Sequence, residues 1–218
     1  MDGFHFNIII DSMPELIAGA KITLVITVIS YLIALVLGIL TGTIRSGSGI
    51  FKRILNIYVE IFRGVPLLIQ LFFIYYALPA VGLNIRNMTA ACCGIGLCGG
   101  AYISEIIRSA ISSVEQGQQE AGISIGLSKF QIYYLVIFPQ AARIAIPPLM
   151  NSFSSQLKET SLVSVLAINE LTRMGQMVYS RTFRPFEIYF AVGVLYFVMT
   201  YFASKLSAYF EKYFSYPC

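Results

Sequence analysis

The sequence predicts an all-α, polytopic membrane protein: five transmembrane helices, with a polar helical loop between the third and the fourth. Three observations predict it. Of 218 residues, 57% are hydrophobic and only 12% charged, and the mean hydropathy is +0.74, whereas a soluble domain carries about 25% charged residues. Apolar stretches of bilayer-crossing length, about 20 residues each, recur five times. Between the third and fourth lies the segment 117–139, GQQEAGISIGLSKFQIYYLVIFP, whose first half is polar. It reads as helix, tight turn and helix outside the bilayer.

In order along the chain, the N-terminal residues read as a short amphipathic lead-in. They lack the basic start and small-residue cleavage site of a removed signal peptide. The first span covers 22–43, with Gly38 and Gly42 one turn apart as a helix-packing face. Gly47, Ser48 and Gly49 then turn the chain between Arg45 and the pair Lys52 and Arg53. The second span, 54–81, carries Glu60 and Arg63 before an apolar run that begins around Pro66. The third, 88–112, becomes polar along one face through Tyr102, Glu105, Arg108 and Ser112. The fourth, 145–166, starts at Pro147 and Pro148 and carries Asn151, Ser155 and Lys158 on one stripe; the fifth, 188–206, is plainly apolar. The whole chain, 1–218, reads as one transmembrane domain without internal repeats.

Alternating spans and the distribution of basic residues set an orientation. With the N-terminus outside and the C-terminus inside, Arg45, Lys52, Arg53, Arg108, Lys129, Arg143, Lys205 and Lys212 fall at the inner side. Lys21, Arg86, Arg173, Arg181 and Arg184 fall outside. That bias follows the positive-inside rule and places the 117–139 segment in the cytoplasm. It also accounts for the net charge of +4 without a nucleic-acid partner.

Several chemistries are excluded by spacing. Cys92, Cys93 and Cys98 share one apolar stretch, Cys218 stands alone, and the single histidine is His5. Adjacent thiols without a histidine partner lack the spacing of a metal or redox site, so they read as buried small hydrophobes. No metal site and no catalytic residue is predicted. There is no G-x-x-x-x-G-K-[ST] loop to cradle a triphosphate, so any ATP-driven work must come from a partner.

The polar loop carries the first functional signal. Ala121, Gly122 and Gly126 leave one side of its helix nearly bare, so another surface can approach the backbone. Glu120 is expected in the first turn after Gly117, where the helix dipole favours negative charge. Gly126 is a C-terminal stop, and Ser128 caps the following helix. Charges inside spans are the second signal, because each costs about 2.5 to 3.5 kcal/mol at a helix centre on insertion scales. Glu60 with Arg63, and Glu105 with Arg108, stand three residues apart and can pair on a helix; they serve as structural or gating charges. In the fourth span, Asn151, Ser155, Lys158 and Ser161 recur near helical spacing. That stripe lines a water-filled path or glues helices together. Lys158 and Glu159 are neighbours and cannot both lie at its centre.

Together these stretches resemble the permease subunits of ABC importers of the polar amino-acid uptake family, the histidine, glutamine and arginine type. Gly117, Gln118, Glu120, Ala121, Gly126 and Pro139 resemble its cytoplasmic signature, with ARIAIPPLMNSF following. YVEIFRGVPLLIQLFFIYYALP resembles its second span, AYISEIIRSAI its third, and LKETSLVSVLAINEL its fourth. Gly122 replaces a second alanine of the signature, and Glu159 an aspartate. The resemblance implies half of a channel in the cell's inner membrane, with a second permease subunit, identical or related, forming the other half. It implies an ATPase dimer that docks at Gly117, Gln118, Glu120, Ala121, Gly122, Gly126 and Ser128, and holds the ATP and magnesium. It implies an extracytoplasmic amino-acid-binding protein that delivers the substrate, and a path along Asn151, Ser155, Lys158, Glu159 and Ser161. No cofactor is expected on this chain. The alternative is a self-contained ion-coupled secondary transporter or channel using its intramembrane carboxylates as proton relays.

Overall fold

The computed structural model describes residues 5–214, with side chains given as far as Tyr209. Cys218 and the side chain of Lys212 lie outside the described residues. Within them the chain is helical throughout, with no strand. Four helices are long and apolar enough to cross a membrane, and a bent helix pair makes a fifth span if counted as one.

Helix α1 runs from Phe6 to Ser46, 41 residues without interruption. At 1.5 Å per residue it is about 60 Å long, twice the hydrocarbon thickness of about 30 Å. The expected lead-in is therefore the first part of α1, and Pro14 is accommodated inside it. The lead-in carries Asp11, Glu15 and Lys21, which lower its hydropathy without breaking its helix. Ile9 and Leu16 of this extension are buried against Leu171, Ala191 and Val192, and an exposed ion pair, Arg181 to Glu15 at 2.6 Å, lies beside them.

Helix α4, Asn87–Ser112, is the central partner of α1. A Cβ on Gly38 would lie 2.4 Å from the Ile103 side chain, and one on Gly42 would lie 2.6 Å from the Ser104 carbonyl. Small residues therefore let the two backbones approach, the packing device open to helices in lipid. Most large apolar side chains on the other side of α1, such as Leu24, Val28, Leu32, Val36 and Leu40, are exposed. This is the surface a bilayer covers.

The second expected span is broken. Helix α2, Ile50–Gly64, and helix α3, Leu67–Phe72, with its continuation to Val81, meet at an angle of 106°. Pro66 has no N–H to continue the ladder and biases Val65 toward extended backbone; Val65 has φ −98° and ψ 133°. The carbonyls freed by the break are taken up by Gln70, whose amide donates to Phe62 O at 2.9 Å and Val65 O at 2.7 Å. Hydropathy runs straight across this point, which is why it reads as one span.

The fourth span also departs from expectation, in the opposite sense. The described helix continues from α6, Lys129–Ile132, through a π-helical turn at Tyr133–Ile137 into α7, Phe138–Glu159, and ends in a 3₁₀ stretch, Thr160–Leu166. Pro139 falls just after the π-helical turn, at the second residue of α7, and removes one backbone donor from this continuous helix. Pro147 and Pro148 lie inside the helix, leaving the carbonyls of Arg143 and Ile144 without their usual donors. Helix α8, Leu171–Thr182, and helix α9, Pro185–Phe214, complete the chain.

Candidate functional site

The segment between α4 and α7 builds helix α5, Gln116–Ser124, then a tight turn and α6. Gly126 has φ +80°, the left-handed conformation glycine adopts freely. Around it, Leu127 N–H donates to Gly122 O at 3.0 Å and Gly126 N–H to Ile123 O at 2.9 Å, the two bonds of a Schellman motif. Ser128 and Gln131 then form a reciprocal capping box at the start of α6. Two expectations need correction. Helix α5 begins at Gln116, so Glu120 falls in its second turn, beyond the positions where the dipole is felt most. Gly122 is not part of a bare face: it is buried, and a Cβ there would lie 2.8 Å from Ile132 of the same chain. The space that glycine leaves is used to fold α5 onto α6. The surface left open is instead apolar and polar together: Ile123, Ile125 and Phe130 are exposed, beside exposed Gln118, Glu120 and Ala121.

Beneath this segment, Ala110, Ile111 and Val114 pack with Ile132, Ile137, Ala141 and Ala145. The α5–α6 pair is therefore seated on the ends of α4 and α7 by one apolar cluster. Gln140 of α7 also donates to the Gln118 side chain at 3.5 Å.

Between α4 and α7 lies a half-open cavity of about 550 Å³. Its polar wall includes Arg63, Tyr102, Glu105, Asn151, Ser155 and Glu159. Ile106, Ile144 and Pro148 supply apolar lining. Gln156 closes it from behind, buried, donating from Nε2 to Ser30 Oγ of α1 at 3.0 Å. Its Oε1 has no hydrogen-bond partner among the described residues, and a Cβ on Gly99 would lie 2.8 Å from it. Asn151, Ser155 and Glu159, at spacing of four, thus share the cavity face of α7. Lys158 is exposed on another face and Ser161 lies beyond the cavity, its hydroxyl donating to Lys158 O at 2.8 Å. Of the two neighbouring charges, Glu159 is the one that faces the cavity.

Glu105 is the charged centre of this wall. Arg108 pairs with it along α4, its Nε 3.1 Å from Oε1. Arg45, from the end of α1, donates to Oε2 at 3.1 Å and also reaches Ser104 Oγ at 3.2 Å and Asn56 Oδ1 at 2.7 Å. Arg63, from the end of α2, approaches Oε2 to 3.9 Å and lies over the Tyr102 ring at 5.4 Å. One carboxylate therefore gathers three guanidinium groups from three helices. The expected Glu60–Arg63 pair does not form: Arg63 turns to Glu105, and Glu60 is exposed with no ion pair among the described residues. Sequence spacing finds Arg108 because it is local, but Arg45 and Arg63 reach Glu105 only through the tertiary fold.

A second carboxylate centre, absent from the sequence reading, is Glu170. It is fully buried and caps α8, accepting from Thr172 N–H at 2.9 Å and Arg173 N–H at 2.8 Å. Tyr196 of α9 donates to it at 2.9 Å and Thr23 of α1 at 3.4 Å. Burial pushes its carboxyl above the usual carboxylate range, against the pull of these four donors on the charged form. An acidic residue directly before Leu171, opposite the polar run Thr23, Thr27 and Ser30 on α1, was the available signal. All three of those residues are buried.

A polar cavity walled by several helices, inside a bundle with an apolar exterior, is the arrangement a membrane transport component requires. The comparisons name its family. Residues 34–216 match the family described as binding-protein-dependent transport system inner membrane component, and the chain belongs to it. It is 38% identical to the probable amino-acid permease protein YxeN of Bacillus subtilis (strain 168), with 100% of this chain and 99% of that protein covered. It is 41% identical to the glutamine transport system permease protein GlnP of Escherichia coli (strain K12), covering 90% and 91% respectively. A solved structure described as the crystal structure of an amino acid ABC transporter with histidines superposes with a TM-score of 0.92 at 36% identity, covering 97% of this chain and 99% of that one. The inward-facing MetNI methionine ABC transporter, 20% identical with a TM-score of 0.80, shares the fold. The protein is thus a multi-pass inner-membrane permease subunit of the ABC importer type. The reading as a self-contained carrier is set aside.

Proposed function

We propose that this chain forms half of the channel of an ATP-driven importer of polar amino acids, and that the cavity between α4 and α7 receives the substrate. The observation that carries the reading is continuity. The two helices that wall the cavity are the same two that hold the α5–α6 pair, α4 directly before it and α7 without a break after it. A force applied at the exposed face of α5 and α6 therefore reaches both cavity walls. Alternating access needs a coupling of this kind, in which a partner favours one of two arrangements of the same helices.

In this reading α5 and α6 lie in the cytoplasm and dock on an ATPase dimer, which binds and hydrolyses ATP with magnesium. The N-terminus is outside and the C-terminus inside. A second permease, identical or related, completes the channel, and an extracytoplasmic binding protein delivers the cargo. The exposed Lys158 supports a second subunit, since a charge in a span needs water or protein around it rather than lipid. The cargo class is supported by the cavity's mixture of charge. Arg63 offers donors for a carboxylate, Glu159 an acceptor for an ammonium, and Asn151 and Ser155 neutral groups of both kinds. YxeN and GlnP, whose names give amino-acid and glutamine transport, point to the same class. This chain makes and breaks no covalent bond.

Two pairs of variants in the reconstituted importer test the reading separately. Gly126→Leu, at a left-handed backbone position, and Glu120→Lys are expected to lower uptake while ATP hydrolysis continues. Asn151→Ala and Glu159→Gln are expected to lower uptake with ATPase docking intact. Coupled, wild-type transport in the first pair refutes the docking role of α5 and α6. Normal uptake in the second removes the cavity from the path.

A further inference from the structure

Helix α7 joins two depressions. The second, smaller one, about 290 Å³, lies at the end of the helix far from α5 and α6 and is walled by Ser164, Val165, Ala167, Arg173 and Gln176. Glu159 closes the first cavity and Ser164 opens the second. They are separated by the 3₁₀ stretch, about 10 Å at its roughly 2 Å rise per residue. Ser161 lies between them. After Leu166 the chain reverses at Ala167, whose φ of 56° is left-handed. This turn is what brings Arg173 of α8 to the same pocket as Ser164.

The polar groups of this pocket lack the partners that their chemistry calls for. Arg173 has no acidic partner among the described residues: the carboxylate nearest in sequence, Glu170, is committed to backbone N–H groups, Tyr196 and Thr23. Among the described residues the guanidinium makes one hydrogen bond, at 3.4 Å to the neutral Gln176 side chain. Ser164 is only 8% exposed, and its hydroxyl has no hydrogen-bond partner among the described residues. A half-buried guanidinium and an unpartnered hydroxyl on the walls of one pocket are donors suited to a carboxylate, to which arginine donates in pairs. The pocket's volume has room for a small amino acid and not only for its carboxylate.

We propose that this pocket is an outer waypoint for the cargo. Arg173 and Ser164 hold the carboxylate of a zwitterionic α-amino acid before it passes Ser161 to the cavity at Glu159. The proposal rests on the amino-acid importer reading and adds a second binding position to it. In proteoliposomes carrying the complete importer, Arg173→Gln is expected to lower uptake from the loaded binding protein about tenfold, the loss of a charged hydrogen bond. Arg173→Lys should restore a large part of it, and Ser164→Ala should show a smaller loss. Docking of the binding protein, measured as its affinity for the permease–ATPase complex, should be unchanged in all three. Wild-type uptake by Arg173→Gln overturns the waypoint. So does a loss of binding-protein affinity in step with uptake, which makes Arg173 a contact for that protein instead. Absence of ATP-dependent amino-acid uptake in the wild-type importer overturns the underlying reading, a failure visible before any variant is compared.

Discussion

Glu105 and Glu170 each tie three helices together, and their contacts on α1, Arg45 and Thr23, lie about 33 Å apart at 1.5 Å per residue. That is about the thickness of a hydrocarbon core. Glu105 is 26% exposed at the cavity wall and is held by three cations, one of them at only 3.9 Å. Glu170 is fully buried, faces no cation at bonding distance among the described residues, and is held by two N–H groups and two hydroxyls. Ion pairs at a wet surface exchange partners at little cost, because water screens each charge as it moves. A buried carboxylate held by neutral donors cannot do this, since every broken bond leaves an unsatisfied group out of water. The difference makes the contacts at the end near α5 and α6 cheaper to exchange than those at the end near α8.

The largest effect expected from this comparison is on stability at the Glu170 end. Glu170→Ala removes a helix cap and strands the Thr172 and Arg173 N–H groups, while the Tyr196 hydroxyl keeps its contact with Thr172 Oγ1. The expected cost is roughly 2 to 4 kcal/mol, read as a lower midpoint of thermal unfolding in detergent. A midpoint equal to wild type would show that α8 does not depend on this cap, and the contrast between the two ends would fall.

The Glu105 end should divide into strong and weak arms. Arg45 has a side chain only 8% exposed and bonds three separate groups, so Arg45→Gln should cost about 1 to 3 kcal/mol. Arg63 has a side chain 41% exposed and stands at the longer distance, so Arg63→Gln should cost about 0 to 1 kcal/mol. Uptake should behave differently, because Arg63 lines the cavity and Arg45 does not. Arg63→Gln should therefore impair transport out of proportion to its small effect on the melting midpoint. Equal losses of stability from the two variants would make the cluster a single structural knot and not an adjustable one.

How much of this was legible beforehand follows the range of each interaction. The span at 88–112 matches α4 closely, because hydropathy and helix length are local properties. Gly38 and Gly42 were readable as a packing face, though not that Ile103 and Ser104 fill it. Prolines were less informative than their reputation. Pro66 marks a 106° break, while Pro14, Pro147 and Pro148 sit inside continuous helices. What decides is whether neighbouring groups can satisfy the freed carbonyls or, as at Gln70, instead stabilise the bend. Asn151 and Ser155 were found on α7 because they recur at helical spacing, but the stripe read from spacing continued through Lys158 and Ser161, whereas the cavity face continues through Glu159. The face that Lys158 takes depends on how α7 rotates against α4, which spacing alone does not fix. Glu170 escaped because its partners, Thr23 and Tyr196, are neutral residues 147 and 26 positions away.

The smallest expected effect isolates the state of Glu170 itself. Its carboxyl lies above the usual range in the folded protein because burial disfavours the charge. The folded state therefore binds this proton more tightly than the unfolded chain. By linkage, the resulting contribution to stability is complete below the unfolded glutamate value, about 4.3, and is lost as pH rises through the folded value. Glu170→Gln keeps a side-chain oxygen to cap α8 and cannot titrate. The midpoint of wild type minus that of Glu170→Gln should accordingly be most favourable to wild type in acid and decline as the solution becomes neutral. A difference that stays level with pH would show that burial and the four hydrogen bonds cancel. One that rises with pH would show that the donors win, and that the carboxylate at this end is held as an anion just as Glu105 is.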